Sequence, residues 1–131
     1  MLDRLRLACW VTAGWMTFVW VTRIRNAASD TDISEATRTG AYVLSAACLS
    51  GAVALAWVGW KSGPLVLARV VAAAHAVVWV VRGVQIATAG HEVGFVVVHE
   101  VLAVISILLS VWVWRASASR TVADRAAVLS S

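Results

Sequence analysis

The chain is poor in most of what a water-soluble enzyme uses. Charged residues make up 14% of its 131 positions, where a soluble domain carries about 25%. Only one proline, Pro64, is present to interrupt helices. The two cysteines, Cys9 and Cys48, fall inside apolar stretches at different expected depths, which argues against a bridge between them. No C-x-x-C or Cys/His spacing occurs, so neither a disulfide framework nor a structural zinc motif is expected. Lysine appears once against ten arginines, and those arginines stand singly at the ends of apolar segments. The net charge of +4 therefore forms no basic run or stripe, and nucleic acid is not an expected partner, because its phosphates need such a footprint. There is no nucleophile–base pair, phosphate loop or paired carboxylate, so the chain is not expected to be an enzyme.

What is present is hydrocarbon. Hydrophobic residues are 61% of the sequence, with eight tryptophans. A bilayer-spanning helix needs about 20 mostly apolar residues. Four segments meet this, over about 5–22, 41–60, 65–89 and 94–114. They are continuous apolar runs rather than alternating ten-residue segments, which excludes a membrane barrel. The expected fold is thus an all-α membrane domain of four transmembrane helices over residues 1–115, followed by a polar, small-residue tail over 116–131. The basic start of the first segment also suits a signal peptide. Its Trp-rich run ends in Thr22-Arg23-Ile24-Arg25 without a small-residue cleavage pattern, however, and so reads as a retained helix. Asp32 and Glu35 have capping-box spacing ahead of the second helix, and Gly63-Pro64 marks a tight turn before the third.

Orientation follows from the basic residues. The side bearing both termini holds Arg4, Arg6, Lys61, Arg69, Arg115, Arg120 and Arg125, and the other side holds Arg23, Arg25, Arg38 and Arg82. Seven against four predicts cytoplasmic termini. Trp57, Trp60, Trp112 and Trp114 are expected as anchors at the inner interface, with Trp20 and Trp79 near the outer one. The abundance of Arg, Ala and Val suits a GC-rich bacterial genome, so the expected location is the bacterial inner membrane. The bilayer itself is the first partner.

A repeat is also legible. Val19-Trp20-Val21-Thr22-Arg23 and Val78-Trp79-Val80-Val81-Arg82 coincide when the chain is shifted by 59 residues (78 against 19). The match is clear for the first and third helices and fades for the second and fourth. Two repeated helical hairpins would share one orientation, with the pseudo-symmetry axis along the membrane normal.

Ionisable residues at membrane depth are the candidate functional groups, since hydrocarbon penalises an unpaired charge. Arg82 and Glu100 are expected about 10 Å and 9 Å below the same rim, at a rise of 1.5 Å per residue. The short turn between helices three and four would let them pair, with His99 beside them. That arrangement reads either as a structural ion pair or as a polar site open to the outer face for an anion, a proton or a lipid head group. His91-Glu92 and His99-Glu100 repeat a His-Glu pair, so His91, Glu92 and His99 are candidate ligands of a divalent metal. No His-Glu-x-x-His spacing supports that reading. His75, in the middle of helix three, is a candidate haem ligand. It lies about 13 Å deeper than His99 by helical rise, so a second axial ligand would come from another chain. The competing reading is a neutral His75 bonded to a neighbouring helix, for example to Ser106. Ala68, Ala72 and Ala76 on helix three, and Ala47 and Gly51 on helix two, are spaced for close helix approach.

The stretch from Trp10 to Asn26, and that from Gly94 to Trp114 with its Val98-His99-Glu100-Val101-Leu102 core, resemble small uncharacterised multi-pass membrane proteins of actinobacteria. Trp15, Trp20, Arg23 and Arg25 would answer to the Trp-rich first helix with its basic end, and Val98-His99 to the opening of the last helix. The resemblance covers about a third of the chain and implies no activity. The chain departs from it in having four spans where two are expected. The function expected overall is a non-catalytic accessory, assembly or scaffold subunit, with other membrane subunits or a second copy as partners. The alternatives are a small oligomeric transporter or channel using Arg82, His99 and Glu100, and a haem- or metal-binding membrane protein.

Overall fold

A computed structural model describes residues 3–129, apart from the side chains of 123–127. Arg125, counted above among the basic residues of one side, lies outside the described side chains. Four helices account for nearly all of the described chain: α1 Arg4–Ser29, α2 Glu35–Lys61, α3 Leu65–Thr88 and α4 Val93–Leu129. All four are long and apolar enough to cross a membrane. Their connections, 30–34, 62–64 and 89–92, are so short that successive helices run antiparallel. The bundle closes in chain order. α1 packs closely on α2 and α3 on α4, as two hairpins; α1 also meets α4, and the loosest seam lies between α2 and α3.

Local chemistry sets the helix ends. Asp3 caps α1, its carboxylate accepting from the Leu5 N–H at 3.3 Å. The cap of α2 is Ser34, which accepts from Thr37 N–H at 3.2 Å. It is not Asp32, whose own N–H is turned onto the Asp30 carboxylate at 2.9 Å. α2 ends where Ser62 takes a left-handed conformation, φ 53°, letting the Gly63 N–H close back on Val58 O. Gly90, at φ 72°, makes the last turn in a backbone region where a Cβ would be strained. α4 does not stop at Arg115. It continues through the polar stretch because that stretch is gripped by other helices, as described below.

The interior is narrow and rich in small residues. Leu5, Ala8, Cys9, Met16 and Trp20 of α1, Leu55 and Val58 of α2, Ala68 and Ala72 of α3, and Ala103 and Val113 of α4 are buried. The exterior is more apolar than a water-soluble surface tolerates. Val43, Val53, Val66, Val77, Val84, Val101 and Leu108 all point outward, and at most 39% of any candidate span is buried within the chain. A contiguous apolar exterior of this extent requires lipid or a partner against it.

Candidate functional site

Five buried or half-buried polar side chains form one connected chain across three helices, while Thr12 and Ser45 are buried without a hydrogen-bond partner. On α3, His75 is 3% exposed. The Trp79 N–H, which can only donate, gives its hydrogen to His75 Nε2 at 3.0 Å. His75 Nδ1 must then carry the proton, and it donates to Ser110 Oγ of α4 at 3.1 Å. Ser110 in turn donates to the Ser106 carbonyl at 2.9 Å, and Ser106 Oγ accepts from the Trp15 N–H of α1 at 2.8 Å. His75 is thus bonded across to a helical serine, but to Ser110, with Ser106 one turn away serving Trp15. Both imidazole nitrogens are engaged within the chain, so a haem iron could be ligated only by displacing Trp79 or Ser110.

Arginine side chains form a second set of cross-links. Arg69 of α3 donates from Nε to Ser117 Oγ at 3.0 Å, and from Nη2 to the Ser117 carbonyl at 3.1 Å and Thr121 Oγ1 at 2.8 Å. Its guanidinium carbon also lies over the Trp114 ring, 6.0 Å from the centroid. Arg6 of α1 donates to Gly59 O of α2 at 2.9 Å. That approach is open because Gly59 has no Cβ, which would stand 3.2 Å from the Cys9 Cβ and the Trp10 indole nitrogen. Arg38 closes the exposed end of α1, donating to Ala27 O at 3.2 Å and Asp30 O at 2.7 Å. Arg120 reaches Asp3 at 3.2 Å. The sequence reading counted these arginines only as topology signals.

The candidate pair at the other end of the bundle does not form. Among the described residues the one ion pair is Arg120–Asp3, and Glu100 Oε1 is buried without a hydrogen-bond partner. Glu100 has come to rest against Gly83, where an added Cβ would lie 3.4 Å from both carboxylate oxygens. Matching depth on neighbouring helices brought Glu100 to the residue beside Arg82, but the helical turn from 82 to 83 points the two side chains in different directions. Arg82 follows Trp79 by three residues on α3, as Arg23 follows Trp20 on α1. One turn below, Trp20 and Trp79 meet with ring centroids 6.0 Å apart.

The metal set is not assembled either. His91, Phe95 and His99 stack in series, with centroids 4.7 Å and 4.0 Å apart, so the phenyl ring stands between the two imidazoles. His99 Nδ1 donates to the Phe95 carbonyl at 2.8 Å. No group of three or more His, Cys, Asp or Glu side chains that could hold a metal ion occurs among the described residues.

The tryptophans divide. Trp57, Trp60 and Trp114 are exposed, with the Lys61 ammonium 4.9 Å from the Trp60 ring centroid, and Trp112 is half-buried. Trp20 and Trp79, expected as outer anchors, are only 2% and 5% exposed and form an interior contact. The small residues divide as well: Ala68 and Ala72 pack inside, whereas Ala47 faces outward into the α2–α3 seam.

Fold and site together define an all-helical bundle of four helices long and apolar enough to cross a membrane, in which several buried polar groups join helix to helix. No known protein family, curated protein or solved structure matches the chain.

Proposed function

We propose that this chain is a non-catalytic, multi-pass protein of the bacterial inner membrane that acts as an accessory, assembly or scaffold subunit of a larger membrane complex. The observation that carries this reading is the use made of the interior polar groups. Trp15, His75, Ser106 and Ser110, and separately Arg69 with Ser117, are occupied in fixing α1, α3 and α4 to one another. Such bonds give a rigid body with a lipophilic exterior, which suits docking more than turnover. Cytoplasmic termini agree with the clustering of Arg4, Arg6, Lys61, Arg69, Arg115 and Arg120 toward the end at which Arg120 meets Asp3.

The helix bounds support reading the bundle as a duplicated hairpin. Adding 59 to the bounds of α1 and α2 gives 63–88 and 94–120, against observed starts at 65 and 93. One equivalent pair meets at the centre, Trp20 touching Trp79, and Arg23 and Arg82 follow that pair by three residues each. A twofold axis along the membrane normal would bring such pairs together. Divergence explains one orphan. Trp79 donates to His75, but position 16, the counterpart of 75, is Met16, and the buried Trp20 N–H has no partner.

Affinity purification from native membranes in a mild detergent tests the role. A larger assembly of constant composition is expected. Recovery of the chain alone, under conditions that keep other membrane complexes intact, would refute it. A second reading, a small oligomeric transporter, is favoured by the unpartnered Glu100 carboxylate. It predicts flux in proteoliposomes that is lost in Glu100→Gln.

A further inference from the structure

Arg23 and Arg82 each stand one turn beyond the Trp20–Trp79 contact, on helices that run the same way, at the end of the bundle opposite the chain termini. The Trp20–Trp79 contact one turn below keeps their helices close. Neither guanidinium has an ion pair or hydrogen bond among the described residues, and Arg23 Nε is sealed from solvent without a partner. Glu100 does not neutralise them, since its carboxylate packs on Gly83. Two uncompensated cations below a membrane rim are costly, and an anion between them removes both the repulsion and the unmet donors. Arginine forks match the oxygen geometry of phosphate.

A second feature points to what the anion carries. The loose α2–α3 seam contains an apolar groove of about 340 Å³, open on one side, lined by Leu44, Ala47 and Gly51 of α2 and by Val71 and Val78 of α3, with Met16 of α1 among its walls. That volume falls in the range of small-molecule sites, roughly 300–1,000 Å³. The groove and the arginines share helix faces. Val71, His75, Val78 and Arg82 follow one face of α3, and Met16, Trp20 and Arg23 follow one face of α1. Arg82 therefore lies one turn beyond the groove wall at Val78, about 6 Å by helical rise, and Arg23 about 10 Å beyond Met16.

We propose that the protein holds one anionic phospholipid, its phosphodiester between Arg23 and Arg82 and one acyl chain lying in the α2–α3 groove. The site goes beyond the accessory role and does not depend on it: it exists in the isolated chain, whatever complex the chain joins.

The test uses full-length protein, delipidated in a neutral detergent, with thermal unfolding followed during titration with dioleoylphosphatidylglycerol, dioleoylglycerol or inorganic phosphate. Phosphatidylglycerol is expected to raise Tm saturably, with an apparent affinity at least tenfold tighter than that for dioleoylglycerol, and phosphate alone to leave Tm unchanged. Arg82→Gln should weaken the phosphatidylglycerol response at least tenfold. Ala47→Leu, at an outward-facing position, should weaken it several-fold by filling the groove. An equal response to dioleoylglycerol would overturn head-group recognition. An equal response to inorganic phosphate would make this a free-anion site and overturn the lipid. Unchanged binding in Ala47→Leu would remove the acyl chain from the groove. Should Arg82→Gln fail to fold, the three wild-type titrations and Ala47→Leu still decide the matter.

Discussion

Trp79 donates its indole hydrogen to Nε2 of His75, one turn back along the same helix, and this bond at 3.0 Å decides which nitrogen of the imidazole faces α4 as a donor. A tryptophan that sequence position alone would place at the lipid–water boundary is instead 5% exposed and orients the deepest histidine of the bundle.

Trp20 and Trp79 offer a matched comparison. Both are buried and they touch each other, but only Trp79 has a partner for its N–H. Phenylalanine at either position removes similar volume. Trp79→Phe also strands the His75 acceptor, so it should cost about 1 kcal/mol more than Trp20→Phe, in line with interhelical hydrogen bonds in membranes, which average about 0.6 and reach about 1.7 kcal/mol. Thermal or denaturant unfolding in detergent measures the difference, and equal losses would show that the bond contributes nothing.

Arg69 makes three hydrogen bonds to α4 through a planar fork. Arg69→Ala should destabilise by roughly 2 kcal/mol, on the basis of about 0.6 kcal/mol per bond plus lost packing on Trp114. Arg69→Lys should recover less than half of this, because one ammonium does not span Ser117 and Thr121 as a guanidinium does. Limited proteolysis should then cut the end of α4 faster in both variants. A lysine variant as stable as wild type would mean that charge alone matters.

Arg82 and Glu100 are not within ion-pair distance of each other. In a double-mutant cycle with Arg82→Ala and Glu100→Ala the two losses should therefore add to within about 0.5 kcal/mol, as for independent sites. A coupling well above this would restore the direct pair.

Asp3 has two roles, capping α1 and meeting Arg120, and the ion pair is largely exposed, at 32% and 47%. Arg120→Gln should cost well under 1 kcal/mol, and that loss should vanish in molar salt. Asp3→Ala should cost about 1 kcal/mol with little dependence on salt, because it also removes the helix cap. Unfolding at low and high ionic strength separates the two contributions.

The expected spans and turns lie close to those observed, except that α1, α2 and α4 extend beyond the apolar runs. Those runs mark where hydrocarbon is the solvent, but Ser34, Ser117 and Thr121 continue helices through polar sequence by capping or bonding, which hydropathy does not register. Depth was legible for Arg82 and Glu100, since helical rise converts sequence distance to height. Azimuth was not. Glu100 met Gly83 rather than Arg82, an error of one residue around the helix, whereas His75 met Ser110 rather than Ser106, an error of one turn in depth on the same face. Spacing also did not register that Phe95 occupies the helix face between the imidazoles of His91 and His99, which are not gathered with Glu92 into one cluster.

From local composition alone came four helices long and apolar enough to cross a bilayer and the places of the turns between them, because the hydrophobic effect acts on each stretch of sequence by itself; the polar extensions of α1, α2 and α4 did not. The tertiary structure alone set which groups meet: Trp20 with Trp79, His75 with Ser110, Arg69 with Ser117. The rotation of each helix about its own axis is fixed by side chains distant in sequence that pack together, and no window along the chain contains both partners.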